Sequence, residues 1–571
     1  MNILGYFLLS ETLRKSNTLK SENAFLLILP SEMESLVERS YTSDPKYTQI
    51  RPGLPEDYKN IKTLGDLLSV NYKLLSSREQ IRQNLISLKQ EEKPCYPGII
   101  GFDDDVVPAL DRALLSGHDV FLIGQIGQAK TKLIQTISEN LLSPIPIIKD
   151  SLTNDSPMDL PKEQLAAILD GNNPQSQSPI FYVSPESLDI LGEKKLETPI
   201  VWREGKFRYK YVLATPDISV KDLVGYIDAI KVAKKGIEMY KIDSYSPGQL
   251  MQAKHGIFCI DELPVLDPRK QVSLLSVLQE GRFTTGAYPV IFEPKTMFFA
   301  TANPIDYTHS GRVIEPLFDR LKSHIHTHYP KSIKDEMMII LQEAKIPRSL
   351  IPEFLLKTLA TLVHKMRKSE QINQERGVSV RLGIHGLEIL VGEAQRTRTL
   401  KHGLVPVPRL SDFHSLEQIA KFELSELDDT VPNRAKIFGE LVNESIKEIS
   451  KKFLENVQET TLQSIKAEFG ESAFPASQQM VWKNGEASYA VQVEKIPSLK
   501  SLIEVKLKLI KDIQDDLIEK TTSAGIDSKT IAISEDAYDE LHSSVTELLL
   551  EGLCWITPKI LDRRDAGYVH A

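Results

Sequence analysis

Between Gly98 and Pro330 apolar residues fall into two alternating patterns, short unbroken runs and longer stretches at helical spacing. That alternation predicts buried parallel strands joined by helices that cover both faces of a sheet. Strands are expected at Asp119–Ile123, Ile257–Ile260, Thr296–Ala300 and Ser323–His328. The stretch from Pro144 to Gln249 is long for a single connection and is expected to carry inserted elements. Upstream, Leu64, Leu67, Leu68, Leu74, Leu75, Ile81, Leu85 and Leu88 recur at helical spacing up to a charged stretch before Pro94. Downstream, helices are expected at Asp335–Glu343, Ile351–Arg367 and Gly383–Arg396. Short strands follow near Met480–Val493 and a last helical segment from Ser498. The expected division is residues 1–60 without a strong periodic signal, a helical arm at 61–93, an α/β domain at 94–330, a small helical domain at 331–429 and a mainly helical extension at 430–571.

Composition narrows the class. The chain has 571 residues, 41% hydrophobic and 26% charged, as in a multidomain globular protein and unlike a disordered chain. Its net charge of −9 gives no chain-wide attraction for nucleic acid or anionic membranes. Cys95, Cys259 and Cys554 lie far apart and form no CxxC pair, so a reducing, cytoplasmic setting is expected. The apolar start Met1–Leu9 lacks a basic leader and meets Glu11, and the longest apolar run, Ala24–Leu29, falls far short of the roughly 20 residues of a membrane-spanning helix.

Three motifs carry chemistry. Gly124-Gln125-Ile126-Gly127-Gln128-Ala129-Lys130-Thr131 follows the apolar run Val120–Ile123 and precedes the helical Leu133–Ile137, the strand, loop and helix order of a phosphate-binding P-loop. Loop N–H groups and a helix N-terminus offer positive partial charge to phosphate oxygens, Lys130 adds a point charge, and Thr131 offers a hydroxyl to Mg2+. Ala129 stands where the pattern has glycine, and the bland alternative is an incidental glycine-containing turn. Ile257–Ile260 runs into Asp261-Glu262, where Asp261 would hold the Mg2+ shell and Glu262 would orient and deprotonate an attacking water; the alternative is a solvated strand end. Thr296–Ala302 ends at Asn303-Pro304, whose amide could bond the water or the γ-phosphate, or simply form a turn. His324, His326 and His328 alternate along an expected strand and are read as packed rather than metal-binding.

From about Leu64 to Asp429 the chain resembles the AAA+ ATPases, and within them the branch of magnesium-chelatase motor subunits and MoxR-type ATPases. The segments Asp222–Asp228, Tyr245–Leu250 and Ala253–Gly256 carry the narrower resemblance, and alanine before the lysine is common in that branch. The resemblance implies a P-loop AAA+ core followed by a helical lid, with ATP and Mg2+ as cofactors. It also implies a hairpin over Phe283–Pro294, an arginine finger at Arg320 with Arg312 as the runner-up, and a phosphate-sensing Arg381 in Gly377–Leu382. A finger acting in a neighbour's site implies self-association into a ring, expected to be a hexamer. The implied partner is a protein, either a chelatase complex or, for a MoxR-type chaperone, a metal-binding or adhesion-domain protein. Nucleic acid is disfavoured by the acidic balance, and a non-hydrolysing scaffold is hard to reconcile with the full set Lys130, Asp261, Glu262 and Arg320. Pro408-Arg409-Leu410-Ser411-Asp412 also resembles a motif of long chelatase-like ATPases.

Overall fold

The computed structural model describes residues 30–171, 180–236, 244–284, 291–304, 312–425, 429–470, 473–476, 478–483, 488–564 and 567–571. Five strands, β1 (Val120–Ile123), β2 (Tyr209–Leu213), β3 (Ile257–Asp261), β4 (Met297–Ala302) and β5 (Ser323–His326), form one parallel sheet in the order β5-β1-β4-β3-β2. Side chains alternate across it. Phe121, Ile123, Phe258, Ile260, Phe298 and Ala300 enter one core, whereas Val120, Leu122, Ile257, Cys259, Met297 and Phe299 enter the other. Both faces are therefore covered, which is why the inner strands β1, β3 and β4 read as continuous apolar runs.

Helices α1 (Ser77–Gln90), α2 (Val106–Leu115) and α3 (Lys130–Leu141) supply Ile81, Leu85, Leu110, Leu114, Ile134 and Ile137 to the second core. The strand not anticipated is β2. It lies at the sheet edge with only Val212 buried, and Lys210 breaks its apolar run.

The long connection after α3 holds an antiparallel pair, Ile145–Ile148 with Ile200–Arg203, and the helices Lys162–Leu169 and Pro185–Lys194. Their apolar faces share a satellite core with Val37, Leu64, Leu67, Leu68 and Tyr72. A buried charge cluster ties this layer to the start of β3. Lys254 Nζ lies 3.1 Å from Asp155 and 2.9 Å from Asp159, His255 Nε2 lies 2.7 Å from Asp159, and Lys295 Nζ lies 2.8 Å from Asp159. Burial opposes ionisation of Asp159, yet His255, Lys254 and Lys295 hold its carboxyl well below the usual range. Burial pushes His255 below its ordinary value despite the pull of Asp159.

Beyond β5 the chain is mainly helical: α4 (Ile333–Glu343), α5 (Glu353–Lys368), α6 (Arg381–Ala394), α7 (Val431–Lys452), α8 (Pro497–Ser523) and α9 (Tyr538–Trp555). One hydrophobic core runs through all of them, from Met337 to Tyr568. Around α9 it encloses a charged cluster: Arg398 pairs with Asp412 at 2.6 Å, Arg409 with Glu540 at 2.7 Å, and Tyr489 donates to Glu547 at 2.7 Å. The Pro408–Asp412 motif thus serves as the junction between α6 and α9.

Short strands were expected near Met480–Val493, but Tyr489–Glu494 is a helix there. Tyr489 and Val493, four apart, are buried while Val491 is exposed, so the apolar-polar alternation is one face of a helical turn. Residues 484–487 lie outside the described residues. Among the described residues no helix is long and apolar enough to cross a membrane.

Candidate functional site

The loop after β1 turns through two left-handed residues, Gly127 (φ 81°) and Ala129 (φ 53°), before α3 begins at Lys130. Ala129 therefore occupies a conformation that glycine takes without strain. The loop is internally braced, since Gln128 Oε1 accepts the Gln125 N–H at 3.0 Å and the Thr327 hydroxyl at 2.9 Å. Lys130 Nζ donates to the carbonyls of Gly124 and, at 2.9 Å, Gln125.

Strand pairing brings the acidic motif to the same place. Asp261 ends β3, and its Oδ2 lies 3.3 Å from the Thr131 hydroxyl, 130 residues away in sequence. The same oxygen accepts the Tyr211 phenol at 2.7 Å, and Oδ1 accepts the Thr301 hydroxyl. Burial and the bond to Asp261 push the Tyr211 phenol up, so it stays protonated and donating at neutral pH. Glu262 is left-handed (φ 57°, ψ 45°), and its N–H donates to Thr301 Oγ1 at 3.1 Å. A non-glycine residue held there costs on the order of 1–3 kcal/mol, and such strain concentrates at functional sites.

The helical region after β5, the expected lid, packs against the loop. Gln125 Nε2 donates to the carbonyls of Gln374 (2.8 Å) and Glu375 (3.0 Å), and the Tyr329 hydroxyl donates to Ile126 O at 2.9 Å. A Cβ added at Gly127 would lie 2.1 Å from Ser379 Oγ. Between lid and loop sits a cavity of about 550 Å3, a size typical of small-molecule and cofactor sites. Ile126, Gly127, Gln128, Ala129, Lys130, Thr131, Asp261, Glu262, Asn303 and Arg381 all line it. Gly98, Ile99, Ile100 and Phe102 form part of its wall, with Gln342 donating to Gly98 O at 2.8 Å.

Other anticipated residues stand apart. Gly124 and Gln125 brace the loop without lining the cavity. Arg320, on the helix Glu315–Arg320, bonds Gln279 Oε1 at 3.0–3.1 Å and Pro316 O at 2.8 Å, outside the cavity of its own chain. The carbonyl of Arg312 accepts from Gln271 at 3.2 Å. Phe283 and Phe292 exchange backbone bonds of 2.9 Å at the described ends of the expected hairpin, whose residues 285–290 lie outside the described residues. His324 packs against Phe318 and its Nε2–H donates to Phe318 O (3.0 Å), and His328 meets Asp105 at 3.0 Å.

Two site residues escaped the sequence reading, Thr301 and Tyr211. Period-two spacing puts Thr301 on the same side of β4 as Asn303, a usable signal. Tyr211 had none, because its contact depends on the register of β2 against β3. The cavity supplies oxygen donors from a hydroxyl and a carboxylate beside an ammonium and a second carboxylate. This is the chemistry that a hard divalent cation and a polyphosphate require, and the residues present fit both.

Known proteins share parts of this chain. Residues 241–351 match the family profile of the Sigma-54 interaction domain. The uncharacterized protein YeaC of Bacillus subtilis (strain 168) is 23% identical over 258 residues, 42% of this chain and 72% of that one. An assembly of subunits BchI and BchD of magnesium chelatase, built on a cryo-electron-microscopy reconstruction, is 19% identical over 43% of this chain. The chain spans 66% of that structure, just under two thirds, with a TM-score of 0.30. NtrX from Brucella abortus in complex with ATP is 13% identical over 67% of this chain and 72% of that one, with a TM-score of 0.32. With its five parallel strands, phosphate loop and helical C-terminal region, the chain has the α/β P-loop fold of AAA+ proteins.

Proposed function

We propose that the protein is a Mg2+-dependent, ATP-hydrolysing ring motor of the cytoplasm that remodels a partner protein. In this reading residues 94–330 bind the nucleotide, 331–429 form its lid and 430–571 extend the lid. The observation that carries the proposal is the convergence of Lys130, Thr131, Asp261 and Glu262 on one cavity beneath Arg381. Bound ATP with Mg2+ supplies the phosphoryl group and the charge that neutralises it. Lys130 and the loop amides hold the phosphates, Thr131 and Asp261 hold the cation, and Arg381 in the lid senses the γ-phosphate. Glu262 takes the proton of the attacking water, with Asn303 orienting it. Arg320, directed away from its own cavity, completes the site of the next copy, so turnover requires a ring, expected as a hexamer.

The partner is read as a metal-inserting chelatase complex, with maturation of a metal-binding or adhesion-domain protein as the chaperone alternative. The antiparallel pair Tyr226–Ile227 with Tyr245–Ser246, in the segment that carries the chelatase resemblance, supports a protein partner by exposing Tyr226, Ile227 and Ile230. The test is ATP hydrolysis against protein concentration for the native chain and Arg320→Ala, with oligomer mass followed in parallel. Specific activity should rise with assembly and fall in the variant while ATP still binds. Equal turnover by a dilute monomer would overturn the ring motor.

A further inference from the structure

Tyr211 lies on the outermost strand of the sheet and is 41% exposed. In the β2–β3 register it stands opposite Cys259, two residues before Asp261. An aromatic side chain spans that diagonal, and its phenol reaches Asp261 Oδ2 at 2.7 Å. So exposed a ring adds little to the core, and phenylalanine would fill the same space. The hydroxyl therefore has a separate purpose. Thr301 fixes Oδ1 from the β4 side and Tyr211 fixes Oδ2 from the β2 side, so the carboxylate is held at both oxygens with Oδ2 toward Thr131.

We propose that Tyr211 is a positioning residue of the divalent-cation site, its phenol locking the Asp261 carboxylate in the orientation that presents Oδ2 beside the Thr131 hydroxyl. The proposal rests on the ATPase reading above. Groups that orient a metal-holding carboxylate are worth about 10–100-fold in metal affinity.

The test is titration of Mn2+ into the full chain carrying a non-hydrolysable ATP analogue, with free Mn2+ read by electron paramagnetic resonance. The native protein is compared with Tyr211→Phe and with Lys210→Ala, a neighbour on the same strand that bonds Gln252 at 2.8 Å. Tyr211→Phe should raise the Mn2+ concentration at half-saturation about tenfold. Lys210→Ala should match the native protein, and analogue binding in EDTA should be the same for all three. Mn2+ affinity in Tyr211→Phe equal to or tighter than native overturns the positioning role. So does a matching loss of analogue affinity in EDTA, which would make the phenol a support of the whole cavity. If the native chain with analogue takes up no Mn2+, the ATPase reading itself fails.

Discussion

The backbone amide of Glu262 donates to the hydroxyl of Thr301 at 3.1 Å, and that hydroxyl in turn donates to Asp261. One buried side chain on β4 therefore fixes the Asp261 carboxylate and the backbone of Glu262. Thr301→Val keeps the shape and removes both bonds. Turnover should fall on the order of 10–100-fold while binding of an ATP analogue in EDTA is retained. A variant with native turnover would show that the hydroxyl only satisfies the strand end.

Glu262→Gln keeps the side chain's size and removes its capacity as a base. Hydrolysis is expected to drop by roughly 10²–10⁴-fold, with ATP still bound as measured by calorimetry. Unchanged turnover would remove Glu262 from the role of base.

Gly127 combines a left-handed φ of 81° with a close approach to Ser379, whose Oγ a Cβ would meet at 2.1 Å. Gly127→Ala meets a conformational cost of about 1–2 kcal/mol and displaces Ser379, so nucleotide affinity should fall. Adding Ser379→Gly should recover part of it, because the obstructing oxygen is gone. Failure of the second change to help would assign the whole loss to the backbone.

Arg398 and Asp412 are both fully buried, so breaking the pair strands a charge. Arg398→Met should cost about 3–5 kcal/mol, read from the urea midpoint. A loss below about 1 kcal/mol, as for a surface pair, would mean that water reaches the cluster in solution.

Acid should weaken the attachment of the inserted layer in two steps. His255 is held below its ordinary value, so the unfolded chain binds its proton more readily and stability falls as pH drops through about 6.5. Asp159 is also held low, so its contribution is present above about 3.9 and disappears at lower pH. Between pH 7.5 and 5.5, His255→Gln should flatten the dependence of the urea midpoint on pH; an unaltered slope would assign the effect to other histidines.

Of the four sheet strands that were legible, β1, β3 and β4 are runs of residues buried on both faces, while β5, at the opposite sheet edge from β2, has only Ile325 buried. Tyr209–Leu213 was not legible, since an edge strand exposes Tyr211 and Leu213 and admits Lys210. Of the site, the loop residues Ile126–Thr131 and Asp261, Glu262, Asn303 and Arg381 could be picked out by motif and do share one cavity. The contacts that orient them could not, because Thr301 and Tyr211 act through pairing between strands 40 and 50 residues apart in sequence. The satellite core was hidden for the same reason: Val37 and Leu64 find apolar partners such as Leu165 and Leu188 only after a long return of the chain.

The unbroken core from Met337 to Tyr568 has a mechanical consequence. Helices α6 and α9 share this core, and the buried pairs Arg398–Asp412 and Arg409–Glu540 lie between them. A change of angle between this region and the sheet would therefore carry it whole, from Ser379 beside Gly127 outward.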